Sequence, residues 1–268
     1  MPEVPLAWRL SCKLAVAALA LLPALLGTSL PATAASSTLR LTLNERTVSV
    51  DIHVPAATAR DAVVLVHGFT RTRATMAGHA AVLAQAGLLA VAPDLPYGLS
   101  AHDNAEALAE LVAMLRQGSL DTEFPQAPVA RVVLVGYSAG AIAALLAATS
   151  PGVVGYVALD PIDYPGGEGL AAARRLKVPA VLVHGPPSLC NLFRLAAPWA
   201  DALTALVADR SLEDAGHCDF ESPTNRGCTW FCGEADPLHQ GKVSAALREA
   251  VERLLPREAT VAGEAAGN

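Results

Sequence analysis

The chain is poor in charge and has no basic block. Only 16% of its 268 residues are charged, the formal net charge is -6, and Lys and Arg gather into neither a run nor a stripe. That argues against nucleic acid as a partner, because backbone phosphates need a concentrated cationic face. No internal repeat is found. Paired Cys-x-x-Cys motifs are absent, which argues against a zinc site built from His217 and the thiols. No insertion is long enough for a separate lid domain. The N-terminal apolar stretch, Leu14 to Leu26, is short for a bilayer span of about 20 residues, and Pro23 interrupts it.

That stretch has another reading. Arg9 and Lys13 precede it, Gly27, Thr28, Ser29 and Pro31 break it, and Ala32-Thr33-Ala34 offers small residues for cleavage. This is the layout of a secretory signal peptide over residues 1–35, with an uncleaved anchor as the alternative. Cleavage near Ala34 or Ala35 removes Cys12 and leaves one domain, residues 36–268. The protein is then secreted or periplasmic, with no stable membrane insertion. The full chain is 53% hydrophobic and long enough to bury a large core. The tail from Pro256 reads as disordered.

The most informative stretch is Val132-Val133-Leu134-Val135-Gly136-Tyr137-Ser138-Ala139-Gly140. Four apolar β-formers read as a strand buried on both faces, and the Ala/Leu run to Ser150 reads as a helix. The turn between them must be sharp, and Gly136 and Gly140 let strand and helix pack close around it. A serine at such an apex presents its hydroxyl outward as a nucleophile.

Around it, Leu39 to Val54 alternates polar and apolar residues about Asn44-Glu45-Arg46, which predicts an antiparallel hairpin. Buried strands are expected at Ala62–Val66, Leu88–Ala92, Val153–Leu159 and Ala180–His184. Helices are expected at 74–86, 104–117 and 243–255. Alternating strands and helices imply a mostly parallel sheet covered on both faces, with the hairpin as an antiparallel edge.

In such sheets sites form beyond the carboxyl ends of the strands. His67-Gly68-Phe69 follows the first parallel strand. The Gly-x-Ser-x-Gly turn resembles the nucleophile elbow of the α/β-hydrolase fold, and that resemblance implies an oxyanion hole formed by the backbone N–H groups of Phe69 and Ala139, with the His67 side chain as a loop brace. Ser138 needs a base. His184 ends a strand and His239 looks like surface, and the same resemblance places the base in a Gly-His loop before the final helix, so His217 is the candidate. The loop Gly185-Pro186-Pro187-Ser188-Leu189-Cys190-Asn191 carries no carboxylate, whereas Val157-Ala158-Leu159 ends directly in Asp160. Asp160 is therefore the expected partner of His217, with Asp163 as fallback. Asp94 reads as a loop brace, and Asp219 and Glu221 as solvated. Phe69, Tyr137, Trp199, Trp230 and Phe231 could line an acyl pocket or be plain core and surface.

These motifs together resemble the α/β-hydrolase superfamily over the core from about Ala62 to the last helix. The Ala-Leu-Asp-Pro placement of the acid resembles chlorophyllases and the secreted platelet-activating-factor acetylhydrolases. The resemblance implies hydrolysis of a small-molecule or lipid-like carboxylic ester by Ser138, Asp160 and His217 through an acyl-enzyme, with no metal or organic cofactor. A monomer is expected. An amide or peptide hydrolase with the same residues, and a binding protein on the same scaffold, remain as alternatives. Four cysteines outlast the signal, Cys190, Cys218, Cys228 and Cys232, and suggest two disulfides among three possible connectivities.

Overall fold

A computed structural model describes residues 35–120 and 127–256. The expected leader, residues 1–35, and the expected tail, residues 256–268, lie outside the described residues except for Ala35, which opens the first strand, and Pro256. Eight strands form one sheet: β1 (Ala35–Leu43), β2 (Arg46–Val54), β3 (Asp61–Val66), β4 (Leu89–Pro93), β5 (Arg131–Tyr137), β6 (Val153–Leu159), β7 (Ala180–His184) and β8 (Leu206–Ser211). Their order is β1-β2-β4-β3-β5-β6-β7-β8. The pairs β1–β2 and β2–β4 are antiparallel and all others are parallel. The hairpin turns at Asn44 and Glu45, both in the left-handed region, which matches the twist of a two-residue connection.

Seven helices accompany the sheet among the described residues: α1 (Ala77–Gln85), α2 (Ala101–Gln117), α3 (Gly140–Ala147), α4 (Glu168–Ala173), α5 (Trp199–Ala202), α6 (Arg226–Cys232) and α7 (Pro237–Leu254). The central strands are buried on both faces, and successive side chains sort into two cores. Val64, Leu134 and Ala158 pack with α2, α3 and Trp199 on one face. Val63, Leu65, Val133, Val135 and Val157 pack with α1 and α7 on the other. This is why the β5 run reads as unbroken apolar sequence instead of alternation. None of the described helices is long and apolar enough to cross a membrane.

The closing helix starts earlier than expected, and several elements were not foreseen. The closing helix begins at Pro237, not Val243, because its first turn is capped by Asp236, which accepts from the Leu238 N–H at 2.7 Å, and buries no apolar residue. His239 therefore lies inside a helix, half-buried, not in a loop before it. The strand β8 and the short helices α4 and α6 carry no periodic apolar signal.

The face covered by α1 and α7 contains a buried histidine that makes folding sensitive to acid. His79 Nε2 lies 3.0 Å from the Phe220 carbonyl, which can only accept, so Nε2 carries the proton and Nδ1 accepts from Ser244 Oγ at 3.0 Å. Burial lowers the ring's pKa from 6.5 to about 4. Between those values the unfolded chain binds a proton that the folded chain does not, so stability falls as pH falls through this window. One proton corresponds to about 1.4 kcal/mol per pH unit, or about 2 kcal/mol between pH 7 and pH 5. Denaturant titrations at the two pH values check this: His79→Gln is expected to lose stability less steeply on acidification than the wild type.

Candidate active site

The ends of β3, β5, β6 and β7 meet at one rim. Ladder bonds hold these ends in register: the Ser138 N–H donates to Leu159 O at 3.0 Å and the Asp160 N–H to Val183 O at 2.7 Å. Ser138 follows β5 and Asp160 follows β6, and both sit in the left-handed region, at φ 54 and 38. A side-chain-bearing residue held there costs of order 1–3 kcal/mol, which the surrounding packing must offset. The packing is tight at the two elbow glycines. A Cβ on Gly140 would lie 2.1 Å from His67 O, and one on Gly136 would lie 2.5 Å from Ala141 Cα. Strand, helix and the loop after β3 thus touch backbone to backbone.

His217 opens a 3-10 turn, His217–Phe220, after β8. Its Nε2 lies 3.1 Å from Ser138 Oγ and its Nδ1 lies 2.6 Å from Asp160 Oδ2. The carboxylate partner fixes the Nδ1–H tautomer and leaves Nε2 as the acceptor facing the serine. Tyr137 supports the ring from below: its hydroxyl donates to His217 O at 3.1 Å, and the ring centroids are 5.0 Å apart. All three side chains are buried. The structure therefore brings together the serine, histidine and aspartate that the sequence singled out.

The other expectations sort as follows. Among the described residues, neither the Phe69 nor the Ala139 N–H meets a hydrogen-bond acceptor, and Ala139 stands at the N-terminus of α3. His67 braces its loop: Nδ1 faces Gly68 O at 2.8 Å, and Nε2 accepts from the Leu95 N–H at 2.9 Å. Burial lowers its pKa, in keeping with a neutral ring. Asp94 is a brace too, taking the Arg73 N–H and guanidinium. The fallback acid Asp163 is fully occupied elsewhere. It accepts from the N–H groups of Tyr164, Gly169 and Leu170 and from Trp199 Nε1, each at 2.8 Å. His184 faces Arg194 and Asp209, away from Ser138. Tyr137 and Trp199 are core, whereas Trp230 and Phe231 are exposed at 82% and 75%.

Asp219 and Glu221 are not solvated; both are buried, at 3% and 0% exposure. Asp219 accepts from the N–H groups of Gly216 and Asp236, each at 2.7 Å, and so closes the histidine loop on itself. Glu221 pairs with Arg71 and accepts from the Asn225 N–H at 3.0 Å. Arg71 belongs to the loop after β3, so this buried pair ties the Phe69 loop to the His217 loop. Their burial comes from loop crossings, which the local polar sequence does not reveal.

A residue the sequence reading passed over is Asn191. Its amide donates to Asp160 Oδ1 at 3.2 Å and to Pro186 O at 2.8 Å, while its Oδ1 accepts from Ser188 N and Arg194 N. The Gly185 N–H also donates to Asp160 Oδ1, at 3.0 Å. The sequence signal was present: an Asn three residues after Ser188 reads as a reciprocal cap. The disulfides are Cys190–Cys232 and Cys218–Cys228. Cys190 adjoins Asn191 and Cys218 adjoins His217, and α6 carries both remaining partners. The two bridges thus link the holder of the acid to the base through one helix. On chain-entropy grounds, separations of 42 and 10 residues correspond to about 4 and about 3 kcal/mol of stabilisation. Cys218, Cys228 and Cys232 also lie close enough together to suggest metal ligands. Their sulfurs are engaged in disulfides, and a disulfide sulfur is not the thiolate that metals need.

A family model described as the alpha/beta hydrolase family matches residues 63–267. The chain belongs to the alpha/beta hydrolase family. One solved alpha/beta hydrolase structure, dienelactone hydrolase from Anabaena variabilis, superimposes with a TM-score of 0.62 at 19% identity, covering 82% of this chain and 98% of its own. At that identity the likeness concerns the fold. A search of curated proteins finds no match. The alpha/beta hydrolase assignment agrees with the sheet order, with helices on both faces, and with the sharp turn between β5 and α3.

Proposed function

We propose that this protein is an exported serine hydrolase that cleaves carboxylic esters through an acyl-enzyme. The observation that carries the reading is the continuous hydrogen-bonded line from Ser138 Oγ through His217 to Asp160. In this reading His217 Nε2 takes the Ser138 proton as Oγ attacks the ester carbonyl. The carbonyl oxygen gains charge facing the Phe69 and Ala139 N–H groups, where one donor is worth about 2.7–4 kcal/mol. Collapse breaks the ester C–O bond, and His217 gives its proton to the departing alcohol. Water then repeats the sequence and frees the acid. Asp160 holds the tautomer and stabilises the imidazolium formed in each half.

Two further features support the finer parts of the proposal. The acid lies at the end of β6, the placement that resembles chlorophyllases and platelet-activating-factor acetylhydrolases. Two disulfides suit an oxidising compartment and so an exported chain. The test is stopped-flow hydrolysis of a nitrophenyl acetate. The expected result is a burst of about one nitrophenolate per chain, then a slower steady phase. A serine-directed phosphonate should add its mass to the peptide that contains Ser138. Neither burst nor adduct across a panel of esters would overturn the reading and favour a binding protein.

A further inference from the structure

Next to the serine a hollow opens on the face covered by α2 and α3. Its floor is the elbow itself, Ala139 and Gly140, with Ala143 one turn further along α3. Phe69 stands on one side, and the loop after β4, with Leu95 and Leu99, forms the opposite wall. Tyr164, from the loop after β6, completes it. The hollow therefore touches both residues whose N–H groups face the carbonyl oxygen in the proposed reaction. A group attached to the carbonyl carbon has this space beside it.

Apart from the Phe69 and Ala139 N–H groups, which the carbonyl oxygen takes in the proposed reaction, no polar side chain of the lining is left without a partner. The two polar side chains in it, Asn104 and Tyr164, are already engaged. Asn104 accepts from the Tyr97 N–H at 3.0 Å and donates to Gly98 O at 3.3 Å. The Tyr164 hydroxyl donates to Leu99 O at 3.1 Å. That last bond straps the loop after β6 to the loop after β4 across the mouth. An acyl group bearing a hydroxyl or a charge would lose its hydration here and gain no partner, at a cost of about 1–3 kcal/mol or more. An alkyl acyl group loses nothing.

The hollow is also small. Its empty space is about 220 Å³ when the open solvent in front of it is counted. Within the walls there is room for a body about the size of a single water or methyl group. Widening it requires moving Ala143, packed in the core at 2% exposure, or breaking the Tyr164–Leu99 strap.

We infer that this hollow is the acyl subsite and that it selects the shortest unsubstituted alkyl acyl groups, of two or three carbons. The inference rests on the ester-hydrolase reading above and adds the acyl class to it. Discrimination follows from size: in a hydrophobic pocket one methylene too many or too few changes kcat/KM by about tenfold or more.

The experiment is a series of nitrophenyl esters from acetate to decanoate, held below their aggregation limits, with the wild type, Leu99→Ala and Tyr164→Phe. Melting curves establish that each variant is folded. The wild type is expected to show highest kcat/KM at two or three carbons and at least a tenfold drop by eight. Leu99→Ala shortens the wall, and Tyr164→Phe cuts the strap while keeping the ring. Both are expected to raise the octanoate-to-acetate ratio, Leu99→Ala by at least tenfold. A 2-hydroxypropanoate ester should be at least tenfold poorer than the propanoate. A wild-type profile that is flat or rises with length overturns the subsite and leaves the hydrolase reading standing. So does a short-chain preference that neither variant shifts. Failure to hydrolyse any ester in the series overturns the hydrolase reading and the subsite with it.

Discussion

Ser138→Ala is expected to lower kcat for a nitrophenyl acetate by about 10⁶-fold with the fold intact. The magnitude follows from the way such residues act as a unit: removing the nucleophile forfeits what the base and the acid contribute as well. KM should change little, because the hollow beside α3 and the Phe69 and Ala139 N–H groups stay in place. Steady-state kinetics over enough enzyme to see the residual rate measure this, and a loss of less than tenfold would exclude Ser138 as nucleophile. The backbone gives a second readout. Ser138 sits at φ 54, where a Cβ is unfavourable by about 1 kcal/mol or more. Ser138→Gly should therefore be as inactive as the alanine variant and melt at a higher temperature.

Asp160→Asn is expected to cost about 10⁴-fold in kcat, again with KM nearly unchanged. The reason lies in what surrounds the carboxylate. Its three partners are the Gly185 N–H, the Asn191 amide and His217 Nδ1, and the first two can only donate at the distances observed. An amide NH₂ in the same place must face a group that accepts. Only the imidazole can become one, by moving its proton from Nδ1 to Nε2. Nε2–H then points at Ser138 Oγ and cannot take its proton. The control is Asp163→Asn, three residues on. That carboxylate holds four N–H groups near α4 and Trp199, so its loss should lower the melting temperature and spare kcat. Equal kinetic losses in the two variants would refute the assignment of the acid.

How much of this was legible in the sequence depends on how local the cause is. Strands β6 and β7 could be bounded to the residue because each is an apolar run buried in the sheet and closed by a residue that breaks the run, Asp160 after β6 and Gly185 after β7. The serine's turn was legible from its two glycines, since backbone contact tolerates no Cβ. Asp160 was legible by elimination, because the loop after β7 has no carboxylate. Strand β8 was not, because it is an edge: Ala208 faces the core on one side, while Asp209 and Arg210 stand in solvent and blunt the edge. Asn191, Asp219 and Glu221 were not, because each is recruited by a partner far along the chain. Arg71 and Glu221 are 150 residues apart, and Asn191 and Asp160 are 31 apart. No window of sequence contains both members of such a pair.

In the proposed reaction the groups that face the carbonyl oxygen belong to the main chain, and they are held by the close approach of Gly140 to His67 O. They are consequently indifferent to the identity of the residues that carry them. Every amino acid but one brings the same N–H to positions 69 and 139, so drift at Phe69 can reshape the mouth of the site without silencing it. Proline alone erases the donor.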